Sequence, residues 1–493
     1  MAPIPEAQDA GSRRFGNLNL SITGMGTEYP PFLLDAKCLD TLCKRHYPDS
    51  PASAQSLSLR PTLANTCHRM EKIRAINWYT GIDTRSTIGT VDHPMANMDR
   101  APTIGELCEV FLKDGVALAV TAARKALHEA QLSPLDITHV VSTTCTNSAN
   151  PGFDHYVCKQ LGITQPVEKV LLHGIGCSGG LASLRTAANL ALGSSFMGRK
   201  ARVLVVALEI SSLLVRSELD SVNELQETRI GITLFSDCAS AAILSNGFGA
   251  QVEPVYELLG WEHLIIPDTE QDLGFDVDPL GWKVVLSPRV PKLTAAVVHP
   301  TFTSLLSTLP DLPPNYKQAA DFDWALHPGG ATILTGVEKA MSITPEHIRA
   351  SYDTYINHGN SSSATIFSVM DRLRHKDMDE IAPQGKVKDF VVGCAFGPGI
   401  TIEMCILKRN LGHIRRTLIT TGEATPPMTE TDPSESEGSR SDVEGEPEQK
   451  REKEAENLKK QGEELTQKLE KVHPEIPEQG DSLAEALNGV ELD

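Results

Sequence analysis

The chemistry of this sequence rests on a cysteine, a histidine and an asparagine in three separate segments rich in small residues. Cys177 lies in the segment Gly176–Gly180, which reads Gly-Cys-Ser-Gly-Gly and stands just before an apolar helical pattern. Glycines permit a sharp turn and keep side chains away from a substrate, and a helix N-terminus favours a thiolate over a thiol. His327 precedes Pro-Gly-Gly, and Asn360 precedes three serines. The sequence therefore predicts that Cys177 is presented as a nucleophile and that the other two segments complete its chemistry.

Length and charge exclude several classes of protein. The chain has 493 residues, more than one ordinary core requires, so two globular units or one duplicated unit are expected. Its formal net charge is −19, but 21 acidic and 8 basic residues lie from Thr421 onward, which leaves −6 on the first 420 residues. A mildly acidic body lacks the basic surface that nucleic acids require, so no nucleic-acid partner is predicted.

Cysteine usage and hydropathy indicate a reduced protein without a membrane span. None of the ten cysteines forms a Cys-x-x-Cys pair, and their spacings match no zinc module, so no metal site is predicted. Residues 1–19 are polar and lack the apolar stretch of a secretory signal. Scattered cysteines then indicate a reducing compartment, and we expect a cytoplasmic protein. No apolar run approaches about 18 residues, which argues against a membrane span.

Apolar strands alternate with amphipathic helices over the first 410 residues, a pattern typical of α/β folds. The segment Thr103–Glu106 is a capping box that predicts a long helix to about Ala130. The almost wholly apolar segment Val203–Leu208 predicts a strand covered on both faces. The second half predicts, in order, strand 322–326, helix 332–341, strand 351–357, helix 362–373 and a hairpin of strands 390–394 and 401–407.

A weak similarity between residues 126–144 and 337–357 favours an internal duplication. We therefore divide the chain into a flexible N-terminus (1–17), a half that carries the cysteine (18–250), a half that carries the histidine and asparagine (251–412), and an acidic tail (413–493). The tail has few large apolar side chains and is predicted to be largely disordered. A helix over residues 449–472 is its one candidate element, either solvated or bound to a partner.

Four motifs, in this order, resemble the type III polyketide synthases, which are the chalcone-synthase-like members of the thiolase superfamily. The motifs are Gly176–Gly180, His327–Gly330, Gly359–Ser363 and Phe396–Gly399. The resemblance extends from about Leu18 to Leu407 and implies a thiolase-like fold of duplicated α/β/α/β/α layers in a homodimer. The Gly-Cys-Ser-Gly-Gly motif, a short Asn-Pro-Gly loop and the long acidic tail are more similar to fungal members, which take medium to long fatty acyl starters.

The resemblance implies that Cys177, His327 and Asn360 form the catalytic triad. Cys177 would take an acyl group from an acyl-CoA starter, as a thiolate stabilised by the imidazolium of His327. His327 and Asn360 would donate hydrogen bonds to the thioester oxygen of malonyl-CoA, where decarboxylation builds enolate charge. Repeated condensation would end in a cyclised pyrone or an alkylresorcinol or resorcylic acid. The electrons for each new bond come from decarboxylation, so no metal or cofactor is implied beyond the CoA thioesters.

Further residues take roles from the resemblance. Phe235 would gate the tunnel to the cysteine, and Leu214 lies where the family adjusts cavity volume. The expected tunnel residues are Phe235, Leu214, Asn147, Ser148, Ser362 and Phe396. The expected CoA-binding residues are Arg69, Lys72, Arg74, Gly329 and Gly330, although a solvated basic face is an alternative for the three cations. Four other cysteines lie in apolar, strand-like contexts and are predicted to be core residues: Cys145, Cys238, Cys394 and Cys405.

Two other functions compete with this interpretation. An initiating ketoacyl-ACP synthase also uses cysteine, histidine and asparagine, but it performs one condensation on acyl carrier protein; the His-Pro-Gly-Gly and Phe-Gly-Pro-Gly motifs argue against it. Thiolase is disfavoured because the same Phe-Gly-Pro-Gly loop differs from its pattern. From another class, a non-catalytic acyl-CoA-binding scaffold would act through the acidic tail.

Overall fold

The computed structural model describes residues 15–48, 69–249, 252–279 and 281–413. Most of the N-terminal segment predicted to be flexible lies outside these residues. So does almost all of the acidic tail, including the helix predicted over residues 449–472. No helix within the described ranges combines the length and the apolar character that crossing a bilayer requires.

Strands and helices alternate through most of the described chain. The strands are β1 (Leu20–Glu28), β2 (Phe32–Leu34), β3 (Arg85–Thr87), β4 (His139–Thr143), β5 (Glu168–Leu172), β6 (Arg202–Ile210), β7 (Asp237–Asn246), β8 (Tyr256–Ile265), β9 (Leu273–Asp278), β10 (Gly281–Leu286), β11 (Asp323–Leu326), β12 (Phe390–Gly397) and β13 (Thr401–Arg409). The helices are α1 (Ala36–His46), α2 (Arg69–Tyr79), α3 (Ile104–Val110), α4 (Val116–Glu129), α5 (Phe153–Leu161), α6 (Gly179–Phe196), α7 (Val215–Glu224), α8 (Gly231–Leu234), α9 (Val290–Ser307), α10 (Ala331–Met341), α11 (Arg349–His358), α12 (Thr365–Leu373) and α13 (Lys376–Glu380).

One nine-stranded sheet runs through the molecule in the order β11-β12-β13-β8-β1-β7-β6-β4-β5. Outward from the central pair β8-β1, each side begins with antiparallel pairings and ends with parallel ones, β12-β11 on one side and β6-β4-β5 on the other. This symmetry of strand order is the expected mark of a duplicated α/β unit. The parallel strands at both ends carry their connections over the faces of the sheet.

Helices cover the sheet on both faces. In β6 the side chains of Val203 and Val205 belong to the core cluster that includes α6 and α12, while those of Leu204 and Val206 belong to the cluster beneath α4. All nine residues of β6 are buried. The unbroken apolar run therefore follows from burial on two faces, as the sequence predicts.

The capping box of α3 is confirmed, because the hydroxyl of Thr103 accepts a hydrogen bond from the backbone of Glu106 and the Glu106 carboxylate accepts one in return. The predicted long helix to Ala130 is interrupted by a π-helical turn over Phe111–Gly115 before α4 begins.

The strand predicted over residues 351–357 is wrong, because these residues form helix α11. Tyrosine, threonine and isoleucine in that segment favour a strand locally, but Tyr352, Tyr355 and Ile356 bury one helical face in the main core. The buried guanidinium of Arg349 anchors the first turn to both carboxylate oxygens of Asp323, each at 2.8 Å. Tertiary packing therefore overrides strand propensity, and the strand that completes this end of the sheet is β11 instead.

Candidate active site

Cys177 lies at the strand-to-helix turn that the sequence predicts. A short 3-10 turn over Gly176–Ser178 leads directly into α6. Gly176 has a φ of +53°, and a Cβ there would lie 2.6 Å from the Cδ atom of Pro398. The positive φ angle and the short distance to Pro398 both require glycine at this position. The cysteine turn therefore packs against the Gly-Pro-Gly loop between β12 and β13, which joins the first and last of the four motifs.

His327 follows β11, and its backbone N–H donates to the carbonyl of Cys394 on β12 at 2.8 Å. The imidazole is 1% exposed. Neither ring nitrogen has a hydrogen-bond partner among the described residues. Buried polar atoms are usually paired, so two free nitrogens on one buried ring indicate a group that is kept for a ligand.

Asn360 follows helix α11 and not a strand, which corrects the sequence-based expectation. Its backbone forms a parallel bridge to Phe235: the N–H of Asn360 donates to Leu234 at 3.0 Å, and the N–H of Ser236 donates to Asn360 at 2.9 Å. The side-chain Nδ2 donates to the carbonyl of Gly329 at 3.3 Å. The carboxamide is thereby tied to the same loop that carries the imidazole.

Ser362 lies next to the sulfur. Its hydroxyl oxygen is 3.5 Å from the Sγ atom of Cys177 and 3.3 Å from that of Cys145. It has a φ of +47°, a left-handed conformation that costs energy for a residue with a side chain. A hydrogen bond of 2.8 Å from its N–H to Oδ1 of Asn360 holds it there. The structure thus links the cysteine and asparagine segments through one serine.

A buried carboxylate that the motifs do not reveal lies behind this serine. Glu209 accepts hydrogen bonds from the backbone N–H of Cys145 at 3.1 Å, from the hydroxyl of Thr146 at 2.9 Å and from the hydroxyl of Ser363. Burial raises its pKa. An acidic residue directly after the apolar run Val203–Leu208 of β6 is the sequence signal that could have found it.

This network also corrects the prediction for Cys145. Its thiol is partly buried and lies between the hydroxyl of Ser362 and the carboxylate of Glu209, rather than in the apolar core. The other three cysteines predicted as core residues are buried in strands: Cys238, Cys394 and Cys405.

Burial decides the protonation of the substrate-free site. It raises the pKa of the Cys177 thiol to about 11, although hydrogen bonds with Ser362 and Asn360 act in the opposite direction. Burial also lowers the pKa of His327 to about 3. Burial thus favours a neutral thiol and a neutral imidazole in the substrate-free site, in contrast to the thiolate–imidazolium pair that the resemblance implies. A neutral imidazole can accept the thiol proton at the moment of attack.

The neutral, buried His327 makes the fold sensitive to acid. In the unfolded chain a histidine titrates near pH 6.5, so between that value and about 3 the unfolded state binds more protons than the folded state. Stability is therefore complete above pH 6.5 and falls as the pH falls, by about 2 kcal/mol for this residue between pH 7 and pH 5. Urea denaturation of the wild type and of His327→Gln at both pH values measures it. An equal loss in both proteins contradicts the assignment.

Two cavities flank the site. The first, termed the Phe235 cavity, contains Phe235, Leu214 and Ser211 in its wall and is mostly apolar. Phe275 on β9 also lines it, with its ring centroid 6.0 Å from that of Phe235. Because the backbone of Phe235 is bridged to Asn360, one residue connects the wall of this cavity to the asparagine. Two of the expected tunnel residues, Phe235 and Leu214, are thus brought together here.

Three other expected tunnel residues are placed differently. Ser148 is exposed. Asn147 is buried, and its side chain accepts a hydrogen bond from the backbone of Ala149 at 2.9 Å. Phe396 lies on β12 in the main hydrophobic core. None of the three lines either cavity.

The second cavity, termed the Lys72 cavity, is lined by Lys72, Gly329 and Gly330 together with apolar residues of α2 and α9. Burial and the positive charge of Arg69 lower the pKa of Lys72. Arg69 is partly exposed one turn earlier on α2. The loop that follows His327 therefore forms part of the wall of the Lys72 cavity.

Arg74 does not reach the Lys72 cavity, which corrects its assignment as a CoA ligand. Its side chain is 2% exposed, and its Nε lies 2.6 Å from Oδ1 of Asp40. A guanidinium buried against a carboxylate has a structural role, because removal of one partner of such a pair typically costs 3–5 kcal/mol.

Comparisons with known proteins agree with this geometry. Residues 55–248 match the family model for the N-terminal domain of chalcone and stilbene synthases, and residues 258–410 match its C-terminal domain. A type III polyketide synthase of Penicillium soppii, pspB, is 37% identical over 415 residues, which cover 79% of this chain and 96% of that protein. The acylalkylpyrone synthase csyB of Aspergillus oryzae is 36% identical over 396 residues, 79% of this chain and 94% of that protein. The crystal structure of a type III pentaketide synthase from Neurospora crassa is 63% identical, with a TM-score of 0.75, and covers 80% of this chain and 100% of that one.

Proposed function

The chain belongs to the chalcone and stilbene synthase family of type III polyketide synthases, and on this premise we propose that it extends a fatty acyl-CoA starter on Cys177 by repeated condensation with malonyl-CoA. One observation carries the assignment of roles. Asn360 holds both the serine beside the sulfur and the glycine loop beside the imidazole, so the three segments converge on one point.

In the loading step, the sulfur of Cys177 attacks the thioester carbonyl of acyl-CoA. The neutral imidazole of His327 accepts the thiol proton and passes it to the departing CoA sulfur, so the products are the acyl-enzyme and free CoA.

In the extension step, malonyl-CoA loses carbon dioxide, and the electrons of the broken bond form an enolate at its thioester. The ring N–H of His327 and an amide N–H of Asn360 donate to the developing oxyanion, which buried donors stabilise strongly. The enolate carbon then attacks the acyl carbonyl, and the sulfur of Cys177 leaves. The lengthened β-ketoacyl-CoA returns to the sulfur for the next cycle. No redox or metal cofactor takes part, because decarboxylation supplies the electron pair.

The apolar Phe235 cavity supports a medium to long fatty acyl starter, with Phe235 and Phe275 at its junction with the site. The 63% identity to a pentaketide synthase favours a chain of five ketide units. Release as an alkylpyrone, alkylresorcinol or resorcylic acid completes the turnover. Because the nucleophile must remain a reduced thiol, we assign the reaction to the cytoplasm.

Mass spectrometry of the products from a panel of acyl-CoA starters with malonyl-CoA tests this function. We expect cyclised products that contain several malonyl-derived units. A single β-ketoacyl product on acyl carrier protein would instead identify the ketoacyl-ACP synthase. Binding of acyl-CoA without any turnover would identify the scaffold.

Leu214 is expected to limit the length of the starter. It is 5% exposed in the wall of the Phe235 cavity. Leu214→Phe fills the space of about one methylene, which is worth about 0.8 kcal/mol when buried. We expect kcat/KM for an 18-carbon relative to a 10-carbon acyl-CoA to fall about fourfold. The exposed Leu225→Phe on the neighbouring segment is the control. An unchanged ratio in the Leu214 variant contradicts the role.

The Lys72 cavity is assigned to coenzyme A. Lys72 and Arg69 supply positive charge for its phosphates, and the backbone of Gly329 and Gly330 allows the pantetheine arm to approach the imidazole closely. Arg74 is excluded from this set by its ion pair with Asp40.

A homodimer is the proposed assembly. Strand β5 pairs on one side with β4 and is the last strand of the sheet among the described residues. Natural proteins seldom leave a sheet edge open, and a second copy of the chain covers it in this proposal. Light scattering of the full chain measures the mass in solution.

A further inference from the structure

A carboxyl group with one unused oxygen lies in the wall of the Phe235 cavity. Glu218, in the first turn of α7, is 1% exposed and lines this cavity together with leucine, isoleucine and valine side chains. Its Oε1 accepts a hydrogen bond from the backbone N–H of Val284 at 3.0 Å. Its Oε2 is buried and has no hydrogen-bond partner among the described residues.

Within the described ranges, the cations nearest to Glu218 are paired with other carboxylates. Arg229 lies 2.6 Å from the carboxylate of Glu227 and also donates to the carbonyl of Val284 at 3.1 Å. Lys283 lies 3.3 Å from the carboxylate of Asp278. A buried oxygen without a partner typically costs 1–3 kcal/mol. A ligand that fills the cavity and donates a hydrogen bond to this oxygen would recover that cost.

The surroundings select the chemistry of such a ligand. Burial raises the pKa of Glu218 to about 7, so the neutral acid is well populated at neutral pH and can both donate and accept a hydrogen bond. The positive charges of Arg229 and Lys283 disfavour a cationic ligand. The wall is mostly apolar, and its one guanidinium, Arg85, already donates to the carbonyl of Thr233 and the side chain of Asn77, so an anionic ligand is also disfavoured. A neutral hydroxyl group on a hydrocarbon chain satisfies each of these conditions.

The position of Glu218 separates it from the reacting atoms. Its hydrogen-bond partner Val284 pairs with Phe275 across the β9–β10 ribbon, and Phe275 in turn lies beside Phe235. Val284, Phe275 and Phe235 thus lie in succession between Glu218 and Asn360. We therefore place the group that meets Glu218 in the tail of the starter rather than in the growing polyketide.

We propose that Glu218 is a specificity residue that selects a starter acyl chain carrying a hydroxyl group within the Phe235 cavity. This inference rests on the proposed function and names the substrate class of the same site. Sites that hydrogen-bond a substrate hydroxyl discriminate strongly against analogues that lack it, because the buried partner is then left unpaired.

The test compares acyl-CoA starters of one chain length that carry a hydroxyl group at successive carbons, each in competition with the unsubstituted acyl-CoA. For the wild type we expect one narrow range of positions to raise kcat/KM about tenfold over the unsubstituted chain. The O-methyl ether at the same carbon removes the donor and is expected to lose this advantage. Glu218→Leu is expected to lose it also, whereas Glu218→Gln, which keeps an acceptor and a donor, retains most of it.

The exposed Glu224→Gln on the same helix is the control and is expected to leave the preference unchanged. Absence of any preferred position in the wild type overturns the proposal, as does an ether that is used as well as the alcohol. If Glu218→Leu keeps the preference for the hydroxylated starter, the proposal is overturned as well. If that variant does not fold, the comparison of alcohol and ether in the wild type tests the proposal. Lack of turnover with the unsubstituted acyl-CoA is a different result, since it refutes the proposed function itself.

Discussion

Replacement of Cys177 by alanine is expected to abolish polyketide formation and to leave acyl-CoA binding in place. In the proposed function the sulfur of Cys177 forms the acyl-enzyme, and the neighbouring thiol of Cys145 is held between Ser362 and the carboxylate of Glu209. Burial and the negative charge of Glu209 raise the pKa of Cys145 well above its usual value, so its thiol stays protonated beside that carboxylate.

Intact-protein mass spectrometry measures the acyl adduct, and isothermal titration calorimetry measures acyl-CoA binding. We expect no adduct in Cys177→Ala, a loss of product of at least about a thousandfold, and a dissociation constant within a few-fold of the wild type. Cys108→Ala, a partly buried cysteine of α3 outside the site, is the matched control. Product formed by Cys177→Ala at more than a tenth of the wild-type rate would exclude the cysteine as the nucleophile.

Replacement of Asn360 by aspartate is expected to slow decarboxylation of malonyl-CoA by about 10²–10³ while loading of the starter continues. The substitution keeps the oxygen that accepts from the N–H of Ser362, so the local backbone stays in place. It removes the amide donor and adds a negative charge where enolate charge develops, and loss of one such donor typically costs about 2.7–4 kcal/mol.

Release of labelled carbon dioxide from malonyl-CoA reports decarboxylation, and the acyl adduct on Cys177 reports loading. A loss of decarboxylation without a loss of loading supports the role of the Asn360 carboxamide as a hydrogen-bond donor to the enolate. An equal loss of both would show that Asn360 acts only by holding Ser362 and Gly329. Asn17→Asp, on the exposed N-terminal segment, adds the same charge away from the site and serves as the control.

The neutral site has a consequence for how this enzyme controls its reactivity. A thiol with a raised pKa and an imidazole with a lowered one leave little thiolate in the empty pocket. In the proposed loading step, attack by sulfur is coupled to proton transfer to His327 when a thioester is bound. Such coupling would protect the cysteine from adventitious alkylation and oxidation, which both require the thiolate.

Local sequence determined the parts of the molecule that depend on near neighbours. Cys177 needs a tight turn and a following helix, and glycines with an apolar helical pattern encode both. The capping box of Thr103 and Glu106 satisfies backbone N–H groups at the start of α3. The apolar run of β6 predicts a strand that is covered on both faces. The order of the four motifs, taken together, also indicated the family and the catalytic roles that its chemistry requires.

Tertiary structure decided what depends on contacts between distant residues. The segment before Asn360 has strand-forming residues but folds as α11, because Tyr352 and Tyr355 reach the core and Arg349 reaches Asp323 only in a helix. The sequence suggests that Arg74 is a phosphate ligand, but in the structure its buried guanidinium is paired with Asp40, 34 residues away along the chain.

The protonation of the site was likewise beyond the sequence. Helix and imidazole suggest a thiolate, but the free energy of charging the sulfur depends on how much water the whole fold excludes from it. The same holds for Glu209 and Glu218, two carboxyl groups whose roles follow from burial and from which oxygen atoms find partners. The type of a residue determines which chemical group it carries. Only the packed fold determines whether that group is ionised and which atoms it contacts.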